Sequence, residues 1–145
     1  MAAGDRVYVA RYAKHPTDEI PGITHFKIPG GTTAVKDQGA AGSTGRADSL
    51  LTDRDVFVEL YGNQFAPLVA LIGASKANCV LGYKGAAGAN EKFTVKNVYF
   101  FQSLAAIEIP EKDSGGKLAA FGVRGIALWD LTDTFATMIV PSTDT

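Results

Sequence analysis

From Ala77 to Gln102 the chain carries two runs rich in β-forming residues, Ala77 to Lys84 and Glu91 to Gln102, joined by Gly85-Ala86-Ala87-Gly88-Ala89-Asn90. The linker has the length and composition of a hairpin connection, so these runs read as one long antiparallel hairpin. Strict alternation puts Phe93, Val95, Asn97, Tyr99 and Phe101 on one face of the second strand and Lys92, Thr94, Lys96, Val98 and Phe100 on the other. Both faces turn apolar toward the end of the strand. The far half must therefore be covered on both sides, which a two-stranded unit cannot do alone.

The remaining segments supply partners of the same kind. Asp5 to Ala13 and Gly22 to Ile28 read as short strands separated by Pro16 and Pro21. Asp55 to Tyr61 alternates Val56, Val58 and Leu60 against Phe57, Glu59 and Tyr61. Phe65, Leu68, Val69 and Ile72 follow at helical spacing, with Asn63 placed to cap a short helix and Pro67 tolerable in its first turn. Ile107 to Pro110 is extended and Glu111 to Gly116 is a charged turn. Lys117 to Trp129 is a long strand in which Gly122 and Gly125 mark bulges or close backbone approach. Phe135 to Val140 makes a last strand before a polar tail. About seven strands and one short helix predict an all-β fold, an antiparallel β-sandwich or partly closed barrel, rather than alternating βαβ units.

A chain of 145 residues is one domain, 1–145, and 46% hydrophobic with 20% charged residues is ordinary globular composition. One stretch departs from that pattern. Residues 29–52 contain Gly30, Gly31, Gly39, Gly42 and Gly45 with Ser, Thr and Ala, and hardly any large side chain before Leu50 and Leu51. A loop of that length has little of its own to bury, so an outside surface is expected to order it. Net charge is −1 and basic residues are scattered among acids, as in Asp53-Arg54-Asp55, which argues against a phosphate-gripping stripe. No apolar run is long enough to span a membrane, no signal core opens the chain, and synthesis in the cytoplasm is expected.

Catalytic patterns fail one by one. His15 and His25 lack the companion ligands or spacing of a zinc site, and no Gly-x-Ser-x-Gly elbow is present. Gly39 to Ala47 is glycine-rich, but Arg46 stands where a phosphate loop needs Lys and Ala47 cannot hold magnesium. Asp53 with Asp55, and Asp130 with Asp133, flank strand ends as turn residues do. Cys79, the single cysteine, lies in an apolar run and reads as a buried thiol. The expectation is a non-enzyme with no cofactor and no metal.

From Thr52 onward, about two thirds of the chain, the order of elements resembles tail tube proteins of long-tailed bacteriophages, whose fold is shared with type VI secretion tube proteins. The segments carrying the resemblance are Asp55 to Tyr61, the helix Phe65 to Ser75, Val80 to Phe100 and Glu108 to Ala127. It implies hexameric rings stacked into a hollow tube, with the long hairpin strands joined between subunits into an inner β-barrel. It also implies partners: further copies of the chain, a tape measure protein, baseplate and tail terminator proteins and, in a contractile tail, a sheath. DNA would pass without specific binding, and the location would be the virion tail, assembled in the host cytoplasm. On this resemblance the inter-ring loop holds Gly31, Lys36, Asp37, Gly39, Gly42 and Arg46, and the inner-barrel strands carry Tyr83, Lys92, Thr94, Lys96 and Arg124. Two other readings compete: a capsid decoration, terminator or baseplate ring protein, and a small-molecule-binding β-barrel.

Overall fold

The hairpin forms, and it organises the rest of the chain. In the computed structural model, which describes residues 8–29, 35–37, 49–51, 55–85, 88–103, 107–113 and 115–144, the strands are β1 (Val9–Lys14), β2 (Ile23–Lys27), β3 (Val35–Asp37), β4 (Ser49–Leu51), β5 (Phe57–Gly62), β6 (Ala77–Lys84), β7 (Asn90–Ser103), β8 (Phe121–Ala127) and β9 (Ile139–Thr143). Two short helices complete the set, α1 (Phe65–Val69) and α2 (Phe135–Met138). The fold is mostly antiparallel β-sheet. One seven-stranded sheet runs β1-β6-β7-β8-β5-β2, with β9 added to β7, and β3 pairs with β4 apart from it.

β7 is long enough to change neighbours along its length. Its first half, Glu91 to Val95, pairs with β9, and its second half, Val98 to Ser103, pairs with β8. Between the halves sits Asn97, with φ of 49°, a left-handed conformation that asparagine tolerates better than most residues. The Asn78 side chain accepts a hydrogen bond from the Asn97 amide at 3.2 Å. Across β6, Cys79 opposes Val95 but Ala77 opposes Val98, so β7 carries one extra residue here. That residue inverts the alternation expected from the sequence. Val98 and Phe100 join Val95 in the core, while Tyr99 and Phe101 are turned to the surface.

β8 accommodates this change by giving up a side chain. Gly125 opposes Phe100, and a Cβ there would stand 2.7 Å from a Val98 methyl carbon and 2.9 Å from the Phe100 ring. The glycine is the close backbone approach that its place in a strand suggested. Around it lies the core of Val58, Leu60, Leu68, Leu81, Cys79 and Met138. His15 is also buried: its Nε2–H donates to the Val98 carbonyl at 2.8 Å and its ring meets Phe100 edge-on at 5.0 Å. It is a satisfied core residue.

Four local readings need correction. The helix expected through Ser75 ends at Val69. The Ala70 and Leu71 amides still close turns, and Gly73, at φ 81°, donates its N–H to Phe100. Asn63 does not cap it: Gln64 holds the N-cap position, with no side-chain cap, and the Asn63 amide donates to the Gly22 carbonyl at 3.0 Å. Phe135 to Val140 is not one strand. Thr134 and Thr137 cap each other reciprocally, which stabilises a helical turn over Phe135–Met138 before β9 begins. Within 29–52, taken as structureless, β3 and β4 form a ladder pairing Val35 with Leu51, Lys36 with Leu50 and Asp37 with Ser49.

Candidate assembly surface

The outward faces and edges of the sheet are what a partner meets. On β7, Lys92, Thr94 and Lys96 alternate away from Phe93 and Val95, in register with Ser142 and Val140 of β9 on one side and Gly82 and Val80 of β6 on the other. Past the bulge this surface continues with Tyr99, whose partner Ile126 shares a face of β8 with Arg124. Four of the strand residues singled out in the sequence thus share one face. Tyr83 does not: it lies on the opposite face, stacked on Phe93 at 5.0 Å. Of the loop residues, Lys36 and Asp37 fall on β3, whereas Gly31, Gly39, Gly42 and Arg46 lie outside the described residues.

The cations on this face differ in how they are held. Lys96 donates to Asp133 at 2.8 Å, and Asp133 is itself buried, accepting also from the Asp130 amide at 3.0 Å. The Lys96 bond holds the Asp133 carboxyl below the usual carboxylate range, and Asp133 in turn raises Lys96. Arg124 stacks over the Phe57 ring at 4.0 Å, a cation–π geometry, and its buried Nε has no hydrogen-bond partner among the described residues. Glu59, opposite Arg124 in register, accepts instead from the Tyr61 hydroxyl at 2.7 Å. Tyr61 stacks flat on His25 at 4.4 Å, so the second histidine is an outer-face aromatic partner.

A clamp at the other edge gave no signal in the sequence. Tyr12 lies across Gly82, where a Cβ would collide with its ring, and its hydroxyl donates to Asp144 at 2.7 Å. Arg11 adds a 3.0 Å ion pair to the same carboxylate oxygen. Burial, followed by the Asp144 bond, pushes the Tyr12 hydroxyl up to about 12. The polar tail is thereby tied back across β6 to β1, a pairing of positions too far apart in the chain for spacing to reveal.

The sheet curls but does not close. β1 pairs with β6 alone, β2 with β5 alone and β9 with β7 alone among the described residues. A cleft of about 500 Å³ opens between β1 and β2, lined by Tyr8, Ala10, Phe26, Tyr83, Glu91 and Phe93. Each free edge is interrupted. The register shifts between Ala10 and Tyr12 in β1 and between Ile23 and His25 in β2, and β9 contains Pro141, which has no N–H to offer.

No known family profile matches the sequence, and no curated protein matches it. Solved structures do. The sheath–tube complex and the sheath/tube terminator of an extracellular contractile injection system, both in the extended state, align with TM-scores of 0.49 and 0.47 at 11% identity. These alignments cover 99% of this chain and 92% and 96% of theirs. The anti-feeding prophage cap, a tube-terminating cap, aligns with a TM-score of 0.55 at 13% identity over 92% of this chain and 87% of its own. With strand order and helix placement described above, the chain shares the fold of a prophage tube-terminating cap.

Proposed function

We infer that this protein is a structural, non-catalytic ring subunit of a phage-tail-like tube. Copies close into hexameric rings, and the rings stack into a hollow conduit that houses a tape measure protein and later passes DNA. The observation that carries this reading is the open curled sheet, in a fold shared with a tube-terminating cap. A sheet with three edges unpaired among the described residues, and a surface bearing exposed Tyr99, Phe101 and Val140, is incomplete as a monomer, and ring closure supplies the missing neighbours. The face bearing Lys92, Thr94, Lys96 and Arg124 belongs to the strands assigned to the inner barrel. Baseplate, terminator and sheath proteins are the further partners that this role requires, in a virion tail assembled in the host cytoplasm.

A second reading is favoured by the match to the cap: one ring that ends a tube instead of repeating along it. Negative-stain electron microscopy of the purified protein over a concentration series separates the two. Hollow filaments with a regular axial repeat support the tube subunit, and discrete rings that never stack support the terminator. A protein that stays monomeric throughout, and also fails to add to preformed tubes, refutes both.

A further inference from the structure

The geometry points to a binding site for an organic cation, an alkylammonium or guanidinium group, in the cleft between β1 and β2; the inference goes beyond the proposed assembly and does not rest on it. The cleft lies where the curled sheet stays open. Tyr83, Glu91 and Phe93 project from the same face of the hairpin as the buried Leu81 and Val95, so they carry the core side of the sheet out to solvent. Tyr8, beside β1, and Phe26 of β2 supply further walls of a space of about 500 Å³. A volume of that size suits a small organic guest, and the open mouth of a curled sheet is where such guests enter.

The chemistry of the walls selects the guest. Tyr83 stacks on Phe93 with centroids 5.0 Å apart and the planes 21° from parallel, and Tyr8 meets Tyr83 at 6.0 Å, tilted by 55°. Neighbouring aromatic rings thus line one side of the cleft, each with an electron-rich face. A carboxylate stands among them: Glu91 lies directly across the ladder from Tyr83 and accepts a hydrogen bond from its hydroxyl. Burial, then that bond and the Glu91 charge, hold the Tyr83 hydroxyl above its usual range, so it stays a donor. The lining includes no lysine or arginine to offset the carboxylate. Other classes of guest fit worse. A metal ion needs several oxygen or nitrogen ligands, and no group of three suitable side chains occurs among the described residues. An anion would meet a like charge, and a purely apolar guest would leave the carboxylate desolvated and unpaired. An organic cation answers both walls, with its charge against Glu91 and its methyl or methylene surface on the rings.

The test titrates the full chain, at a concentration where it is monomeric, with choline and with its neutral isostere, in which a tert-butyl group replaces the trimethylammonium. Followed by NMR, the choline methyl protons should move upfield as they enter the aromatic cleft, and the isostere should bind several-fold more weakly. Glu91→Gln keeps the shape and the acceptor for Tyr83 but removes the charge. Tyr8→Leu removes a ring face at a position 54% exposed, so the melting temperature should not change. Each variant should weaken choline binding about 3- to 10-fold. The amides of N-acetyl-arginine and N-acetyl-lysine, titrated in the same way, identify the source of the cation. Tighter binding than choline assigns the site to a basic side chain of a protein partner and weaker binding to a free cation, and either result supports the site. Equal binding of choline and its isostere, or wild-type affinity in both variants, overturns the cation assignment. Absence of a saturable shift with every one of these cations overturns the site itself. Ring formation is decided separately by microscopy, so the assembly reading can stand or fall without this one.

Discussion

Gly125→Ala is the substitution whose outcome the packing fixes most tightly. The backbone there is not in the left-handed region, so alanine would ordinarily gain roughly 0.5–1 kcal/mol by restricting the unfolded chain. Against that gain, the new methyl would sit 2.7 Å from Val98 Cγ1 and 2.9 Å from Phe100 Cδ1. Both side chains are fully buried, and Phe100 is further boxed in by His15, so neither has open space to move into. Overpacking of this kind costs about 1–3 kcal/mol. The clash wins, and the net loss is about 1–2 kcal/mol. For a chain of this length that is a fall in melting temperature of about 3–10 °C. Urea unfolding followed by the single tryptophan, Trp129, at a concentration where the protein is monomeric, measures it. Val98→Ala alone costs about 2 kcal/mol through lost burial, but it removes one of the clashing groups. The double variant should therefore be more stable than the sum of the two losses by at least about 0.5 kcal/mol. Strict additivity, or a Gly125→Ala protein as stable as wild type, would refute the packing argument.

The acid side of the stability curve should be set by three carboxylates held low in the folded chain, Asp130 by its bonds from Thr132 and two others. Lys96 holds Asp133 below its ordinary value and the Tyr12 hydroxyl does the same for Asp144, so their contributions are complete above the unfolded value near 4 and disappear as pH falls through the lower folded values. Asp133→Asn and Asp144→Asn should each flatten the decline in urea midpoint below about pH 4; an unchanged slope in the double variant counts against the assignment. Burial pushes the Cys79 thiol up to about 12, so a thiol reagent at pH 8 should react with it only after unfolding. Stoichiometric labelling of the native protein would contradict its placement.

What the sequence made legible was whatever depends on local composition. β6 matches the run read as the first hairpin strand residue for residue, and β5 and β7 differ from their runs by one or two residues at each end. Strong alternation and a glycine-rich linker leave little else for such segments to form. The face assignment of Val98 and Phe100 failed because the Asn97 bulge is stabilised by Asn78 on the neighbouring strand, an interaction that pattern along one strand cannot contain. The α2 turn failed for a smaller reason: Phe135 to Val140 has strand-like composition, and two threonines at capping distance outweigh it. Of the candidate site, Lys92, Thr94, Lys96 and Arg124 share a face because pleating is local, whereas Tyr83 was placed with them by element and not by parity.

The free edges bear on how copies would meet in the proposed ring. Among the described residues three strands end the sheet, and each carries a feature that discourages casual strand addition: a bulge at Arg11, another near Thr24 and a proline at position 141. An edge built this way pairs poorly with an arbitrary strand, which lowers the risk of fibrillar aggregation. The same bulges make main-chain pairing alone too weak to choose a partner or a register. In the proposed ring, selectivity would then have to come from side chains, and exposed apolar residues such as Leu131, Phe65 and Val69 are available to supply it. Restoring edge pairing while the other side chains stay in place is therefore a discriminating perturbation. Pro141→Val should leave the monomer folded and raise aggregation without order, seen as dye-binding fibrils in place of regular particles. If it instead yields more of the regular assemblies and no fibrils, then edge pairing, and not side-chain contacts, chooses how the copies join.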